Sequence, residues 1–147
     1  MHEIGKNISI LYRQFHLFLN HELEGTNITA TELMYLASLY RKDGITQDDL
    51  VKEYCIDKAA TARTIQGMEK KGLILRKPGV SDKRSKNIYL TDEAYIYRNM
   101  ISQIQKKWLK AINIELSQKE TDEFAKTLAA VTQKAKRMNQ IKEENSL

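Results

Sequence analysis

Apolar positions along the chain change their period twice, and each change marks a different kind of element. Ile4, Ile8, Leu11, Phe15, Phe18 and Leu23 step by three, four or five, a helical stripe close to a heptad. Gly25 is a natural stop. Thr29 with Glu32 three residues on forms a capping box. Leu33, Leu36, Ala37 and Tyr40 follow at helical spacing, and Gly44 is expected to close that helix. Thr46, followed by Asp48 and Asp49, opens a short helix to about Tyr54. Asp57 caps the next, which turns Ala60, Ile65 and Met68 inward, with Thr61 a further inward candidate, and ends at Gly72.

After Gly72 the period drops towards two. The runs "LILRK" and "NIYLT" are β-prone and flank the polar stretch "GVSDKRSKN", so they predict a hairpin with a long tip. Thr91, with Asp92 and Glu93, is expected to cap one helix bearing Tyr97, Ile101, Ile104, Trp108 and Ile112. Ser117 and Glu120 make a second capping box. Phe124, Leu128, Val131, Ala135 and Met138 then repeat at a/d spacing. The tail "KEENSL" is expected to fray. A short helix, a turn of about three residues, a second helix and then a hairpin is the order of a winged helix-turn-helix. The predicted fold is mainly α with a small β-hairpin wing, flanked by N- and C-terminal dimerisation helices. It is read as one domain over 1–147, with dimerisation helices at about 1–25 and 92–140 and a DNA-binding region at about 29–91. A small chain with such long apolar stripes has difficulty covering them alone, so a homodimer interface is favoured over intramolecular core.

Charge sharpens the picture. Of 24 Lys/Arg and 19 Asp/Glu, ten bases and four acids lie between Lys52 and Lys86, a local excess of six; the remaining 14 bases and 15 acids leave the rest at −1. An excess confined to the helix-turn-helix and hairpin implies a polyanionic partner, double-stranded DNA. Lys83, Arg84 and Lys86 crowd the hairpin tip beside Asp82. A narrow minor groove concentrates negative potential, and Arg84 is the candidate to enter it. Asp82 can brace that guanidinium by a charge-assisted bond. Lys83 and Lys86 are expected on phosphates.

The block "DKAATARTIQGMEKKGLILRKPGVSDKRSKNIYLT" resembles the signature of the MarR family of bacterial transcription regulators. The resemblance rests on "EKKGLI.R" at Glu69–Arg76, "D-x-R" at Asp82 and Arg84, and "LT" at Leu90 and Thr91. "ART" at Ala62–Thr64 and "SD-x-R" at Ser81–Arg84 are most similar to the SlyA branch. The block covers about a quarter of the chain, and Ala94 departs from the glycine many members carry. The resemblance implies a dimeric repressor of pseudo-palindromic operators, with a small-molecule pocket between dimer helices and winged domain in many members. It also implies a base-reading arginine at Arg63. Lys58, Thr61, Thr64 and Gln66 could touch phosphates or base edges, and helical phase does not separate the two. Lys70 and Lys71 are either backbone contacts or a charged last turn.

Other classes are weaker. No catalytic constellation, phosphate-cradling loop or Cys/His cluster occurs, so neither an enzyme nor a metal or cofactor is expected. His16 and His21, five apart, do not share a helix face. Cys55, the single cysteine, lies in the predicted turn, where a structural role outweighs redox sensing. The short apolar runs and the N-terminus "MHEIGKN" give no membrane span or secretory signal, which suits a cytoplasmic protein. A helical adaptor without DNA binding is the other alternative, and the charge concentration argues against it. Phe15, Phe18, Tyr35 and Tyr40 are read as core first, with a cleft for a small aromatic or phenolic ligand as the second reading.

Overall fold

The computed structural model describes residues 2–79, 86–112 and 115–144, with side chains described from 3 to 138 among them. In chain order the elements are α1 (His2–Glu22), α2 (Ala30–Arg41), β1 (Ile45–Thr46), α3 (Gln47–Tyr54), α4 (Lys58–Lys70), β2 (Ile74–Pro78), β3 (Lys86–Leu90), α5 (Asp92–Tyr95), α6 (Arg98–Ala111) and α7 (Gln118–Glu144). They fall into two compact units, Met1–Lys110 and Ala111–Leu147. The predicted α-rich fold with a hairpin is the observed one, and the first unit contains a winged helix-turn-helix.

Local chemistry starts the helices where the caps predicted. The Thr29 hydroxyl accepts from Glu32 N at 3.2 Å while Thr29 N donates back to Glu32 Oε2 at 2.8 Å. Thr46 and Asp49 repeat the arrangement on α3, and Asp57 Oδ1 accepts from Ala60 N at 2.9 Å to start α4. Ser117 and Glu120 do so on α7. Cys55 ends α3 in the left-handed region, φ 53°, its N–H donating to Val51 O at 2.8 Å. The turn to α4 is thereby held to three residues.

Three expectations change. A third strand exists: β1 pairs with β3, giving the antiparallel order β1-β3-β2 with Ile45 opposite Ile88 and Arg76 opposite Ile88 on the other side. Two residues are too short for alternation to be visible. Gly44 does not close α2, whose C-cap is Lys42. It turns the chain into β1 at φ 75°, where a Cβ would lie 2.9 Å from the Tyr89 ring. Finally, the helix expected after Thr91 is broken into α5 and α6. The Thr91 side chain caps neither; its hydroxyl donates to Gly72 O at 2.6 Å and its N–H to Leu73 O at 3.1 Å, tying the end of β3 to the root of β2. The Tyr40 hydroxyl takes the Ala94 carbonyl, which anchors the short α5.

The core of the first unit gathers Leu19, Tyr35, Leu36, Leu50, Ile65 and Ile88, each at most 1% exposed. The stripe of α1 is split: Leu19 and Leu23 enter this core, whereas Ile4, Ile8 and Leu11 are 64%, 53% and 44% exposed. In the second unit Phe124, Leu128, Val131 and Met138 of α7 are exposed as well. Each stripe therefore presents apolar surface that its own unit leaves uncovered. Among the described residues no helix is long and apolar enough to cross a membrane.

Candidate nucleic-acid interface

Helix α4 has two unlike faces. Thr61, Ile65 and Met68, at i, i+4 and i+7, are fully buried. Ala59, Arg63, Gln66 and Lys70, at i, i+4, i+7 and i+11, are exposed, with Ala62 half-buried beside them. Among the described residues neither Arg63 nor Gln66 has a hydrogen-bond or ion-pair partner, so both side chains face outward uncommitted. The short Ala59 and Ala62 flank Arg63 and leave room for a groove edge to approach the helix.

The Thr61 expectation is corrected. Its side chain is 0% exposed and its Oγ1 accepts from the Tyr35 hydroxyl at 3.1 Å, so it serves the core and cannot reach DNA. Thr64 is half-buried and its hydroxyl donates to Ala60 O, one turn back, at 3.2 Å. Lys58, at the first position of α4, is exposed and lies 3.1 Å from Asp48 of α3. Lys71, left open between a DNA-backbone contact and a charged last turn, is engaged within the fold: its Nζ donates to both Glu32 oxygens, at 2.9 and 2.7 Å, and to Asn27 O at 2.8 Å. That lysine fastens the end of α4 to the start of α2 and is not available to a phosphate. Lys70 is exposed.

The hairpin rises beside α4. Lys86 begins β3 and is exposed; Lys77, on β2, lies 5.5 Å from the centre of the Tyr89 ring. Ser81, Asp82, Lys83 and Arg84 lie outside the described residues. Arg76 Nε donates to Glu69 Oε1 at 3.2 Å and its Nη2 to Oε2, joining β2 to the last turn of α4. The Arg76 hydrogen bonds hold the Glu69 carboxyl below its ordinary range, with Lys86 adding to the effect. Sequence reasoning passed over this pair, although both residues stand at the ends of the quoted "EKKGLI.R" run. Their seven-residue separation across a glycine turn matches neither helical nor strand spacing.

A second feature lies on the other side of α2. A cleft of about 410 Å³ is lined by Phe15, Met34, Arg41, Tyr54 and Trp108 among others. Of the four aromatics proposed for a ligand cleft only Phe15 lines it. Tyr35 is fully buried, Phe18 packs on Trp108 with ring centres 5.2 Å apart, and Tyr40 is bound to Ala94 O. Burial pushes the Tyr40 phenol up to about 12. Core packing is thus the role of those three. Cys55 is exposed, with Sγ 3.9 Å from Lys52 O.

A three-stranded antiparallel sheet closing on a helix-turn-helix whose second helix presents a basic outer face defines the winged helix-turn-helix class. The sequence model of the MarR family matches residues 28–86, from two residues before α2 to the first residue of β3. An uncharacterised HTH-type transcriptional regulator of Bacillus subtilis, YybA, is 27% identical over 93 residues, 63% of this chain and 62% of that relative's length. A MarR transcriptional regulator from Methanosarcina mazei superposes with a TM-score of 0.84 at 28% identity, over 94% of this chain and 99% of that one. The fold is shared with the transcriptional regulator SlyA, TM-score 0.83 at 23% identity over 91% and 94% of the two chains. It is shared too with a MarR-family regulator of Listeria monocytogenes solved with a 26mer DNA, TM-score 0.85 at 22% identity over 90% and 88%. Over residues 28–86 the chain is similar to the MarR family, and its fold is that of MarR-type regulators.

Proposed function

We propose that this chain is a sequence-specific DNA-binding transcription regulator that acts as a homodimer, in the cytoplasm, on pseudo-palindromic operators, as a repressor. The observation that carries the reading is the outer face of α4, where Arg63 and Gln66 stand uncommitted on a helix whose opposite face is core. A helix of this kind enters the major groove, and a guanidinium pairs with the O6 and N7 acceptors of guanine. Lys58, Thr64, Lys70 and Lys86 supply phosphate contacts at its borders. From the sequence we assign Ser81, Asp82, Lys83 and Arg84 to the DNA contacts as well, with Arg84 for the minor groove of the operator flank and Asp82 as its brace. Residues 29–91 are the DNA-binding region. The exposed stripes within 1–25 and 92–140 are covered by a second copy, which sets two recognition helices in successive turns of the major groove on one face of the duplex.

The test is selection of duplex from a random pool, followed by titration of the selected duplex across salt. Recovery of a pseudo-palindrome whose half-sites lie about 10 bp apart supports the reading. Retention of duplexes with no common sequence, or no retention at all, overturns it and favours an adaptor.

The cleft favours a second layer of function. Apolar walls with one guanidinium, Arg41, which is paired with Glu53, suit a small aromatic ligand whose acidic group competes for that pair. A relative in which a phenol occupies the protein is known: an organohalide-sensing regulator solved with 2,4-dichlorophenol. Such an effector need favour a poorly fitting spacing of the two recognition helices by only about 1.4 kcal/mol to lower operator affinity tenfold.

A further inference from the structure

Glu69 is out of place by charge. It sits in the last turn of α4, at the border of the face that carries Ala59, Arg63, Gln66 and Lys70, where a carboxylate repels phosphate. Yet both its oxygens are taken by Arg76, in a two-point pairing that holds the guanidinium in one plane. Arg76 pairs with Ile88 across the hairpin, and Pro78 with Lys86, so Arg76, Ile88 and Lys86 share one face of the sheet. On that face Ile74 and Ile88 enter the core, and everything beyond Ile74 on β2 is half-buried or exposed. Burial therefore fixes the root of β2 but not its outer half. The Glu69–Arg76 bridge is where the outer half meets the recognition helix, on the far side of the Gly72 turn. It also borders a cleft of about 230 Å³ lined by Thr46, Gln47, Asp48, Arg76, Lys86 and Ile88.

We propose that Glu69 is a positioning residue for DNA binding, holding Arg76 and through it the outer wing in register with α4. This rests on the DNA-binding reading above. An acid is kept beside the duplex because the geometry it imposes on the wing outweighs the repulsion it adds. Charge alone and positioning predict opposite signs. Removing a carboxylate next to DNA tightens binding if the group is only a charge; it weakens binding if the group holds the wing.

The experiment uses the full-length chain and the duplex that the wild-type protein selects from a random pool. Wild type, Glu69→Gln, Arg76→Gln and the double variant are titrated across salt, with melting curves to confirm that each is folded. Glu69→Gln is expected to weaken binding about three- to tenfold, the scale of one partly buried ion pair. Arg76→Gln should match it with an unchanged salt slope, and the double variant should be no weaker than either single one. Tighter or unchanged binding by Glu69→Gln, or losses that multiply in the double variant, would overturn the inference. So would a salt slope lowered by about one unit per subunit in Arg76→Gln, which marks Arg76 as a phosphate ligand. Failure of the wild type to bind any duplex sinks the DNA-binding reading itself, and is distinct from a wild type that binds and variants that do not behave as a unit.

Discussion

The hydroxyl of Tyr35 donates to Thr61 Oγ1 at 3.1 Å, and both side chains are fully buried. This single bond joins α2 to the inner face of the recognition helix, and it is the reason a threonine there is absent from the DNA surface. Its two ends are not equivalent. Thr61→Val leaves a phenol without a partner in the core, at a cost of about 1–3 kcal/mol. Tyr35→Phe leaves a threonine hydroxyl that can turn to a carbonyl of its own helix, so about 0.5–1.5 kcal/mol is expected. Urea unfolding of both variants measures the asymmetry; equal losses would show that the bond is not what positions Thr61.

Arg63 and Lys70 share the outer face of α4, and the proposed function gives them different work. Arg63→Ala should cost about 1–3 kcal/mol of operator affinity and relax sequence preference at one position per half-site. Lys70→Ala should weaken all sequences alike and lower the salt slope by about one unit per subunit. Titrations on operators altered one base pair at a time separate the two, and an Arg63 variant with unaltered preference would remove it from base reading.

Acid should loosen the start of α3. Asp49 accepts from Thr46 N and from the Thr46 hydroxyl, both at 2.8 Å, and these bonds hold its carboxyl below the ordinary value. A group whose pKa is depressed by folding adds stability above its unfolded value and loses it as pH falls through the folded one. The loss therefore falls below about pH 4. Asp49→Ala should cost about 0.5–2 kcal/mol at pH 7, the range of a lost helix cap. Wild type and variant should converge near pH 2, which urea midpoints at the two pH values would show.

Leu11→Glu on α1 and Leu128→Glu on α7 place a charge in the middle of each exposed stripe. If a second copy covers these stripes, each variant should shift sedimentation equilibrium from dimer to monomer at micromolar concentration and reduce operator affinity with it. A wild-type monomer under the same conditions would refute the dimer.

Trp108 is the only tryptophan in the chain and lines the larger cleft, its ring centre 5.0 Å from that of Phe15. Its emission should therefore report a ligand there. Benzoate is expected to change it more strongly than benzamide by competing with Glu53 for Arg41, the cation on the cleft wall, and Arg41→Gln should abolish the difference. Identical responses to the two compounds would exclude an anion-selective cleft.

Much of this fold is local and so was legible in order. The capping boxes at Thr29 and Thr46 and the cap at Asp57 set helix starts through bonds spanning three residues, and short-range patterns carry that information. The excess of charge between Lys52 and Lys86 likewise pointed to a polyanion before any fold was known. The tertiary structure decided which residue of a helix turns where. Thr61 is inward because Tyr35, 26 positions earlier, offers it a buried hydrogen bond. Lys71 is lost to DNA because Glu32, 39 positions earlier, binds it. β1 exists only because β3 lies beside it, and the helix after Thr91 breaks where Tyr40 takes the Ala94 carbonyl. The Glu69–Arg76 bridge needed the Gly72 turn to fold β2 back against α4. Periodicity and caps depend on neighbours within a turn or two, which the sequence states outright; partners dozens of residues apart are chosen by packing, and only the folded chain contains that choice.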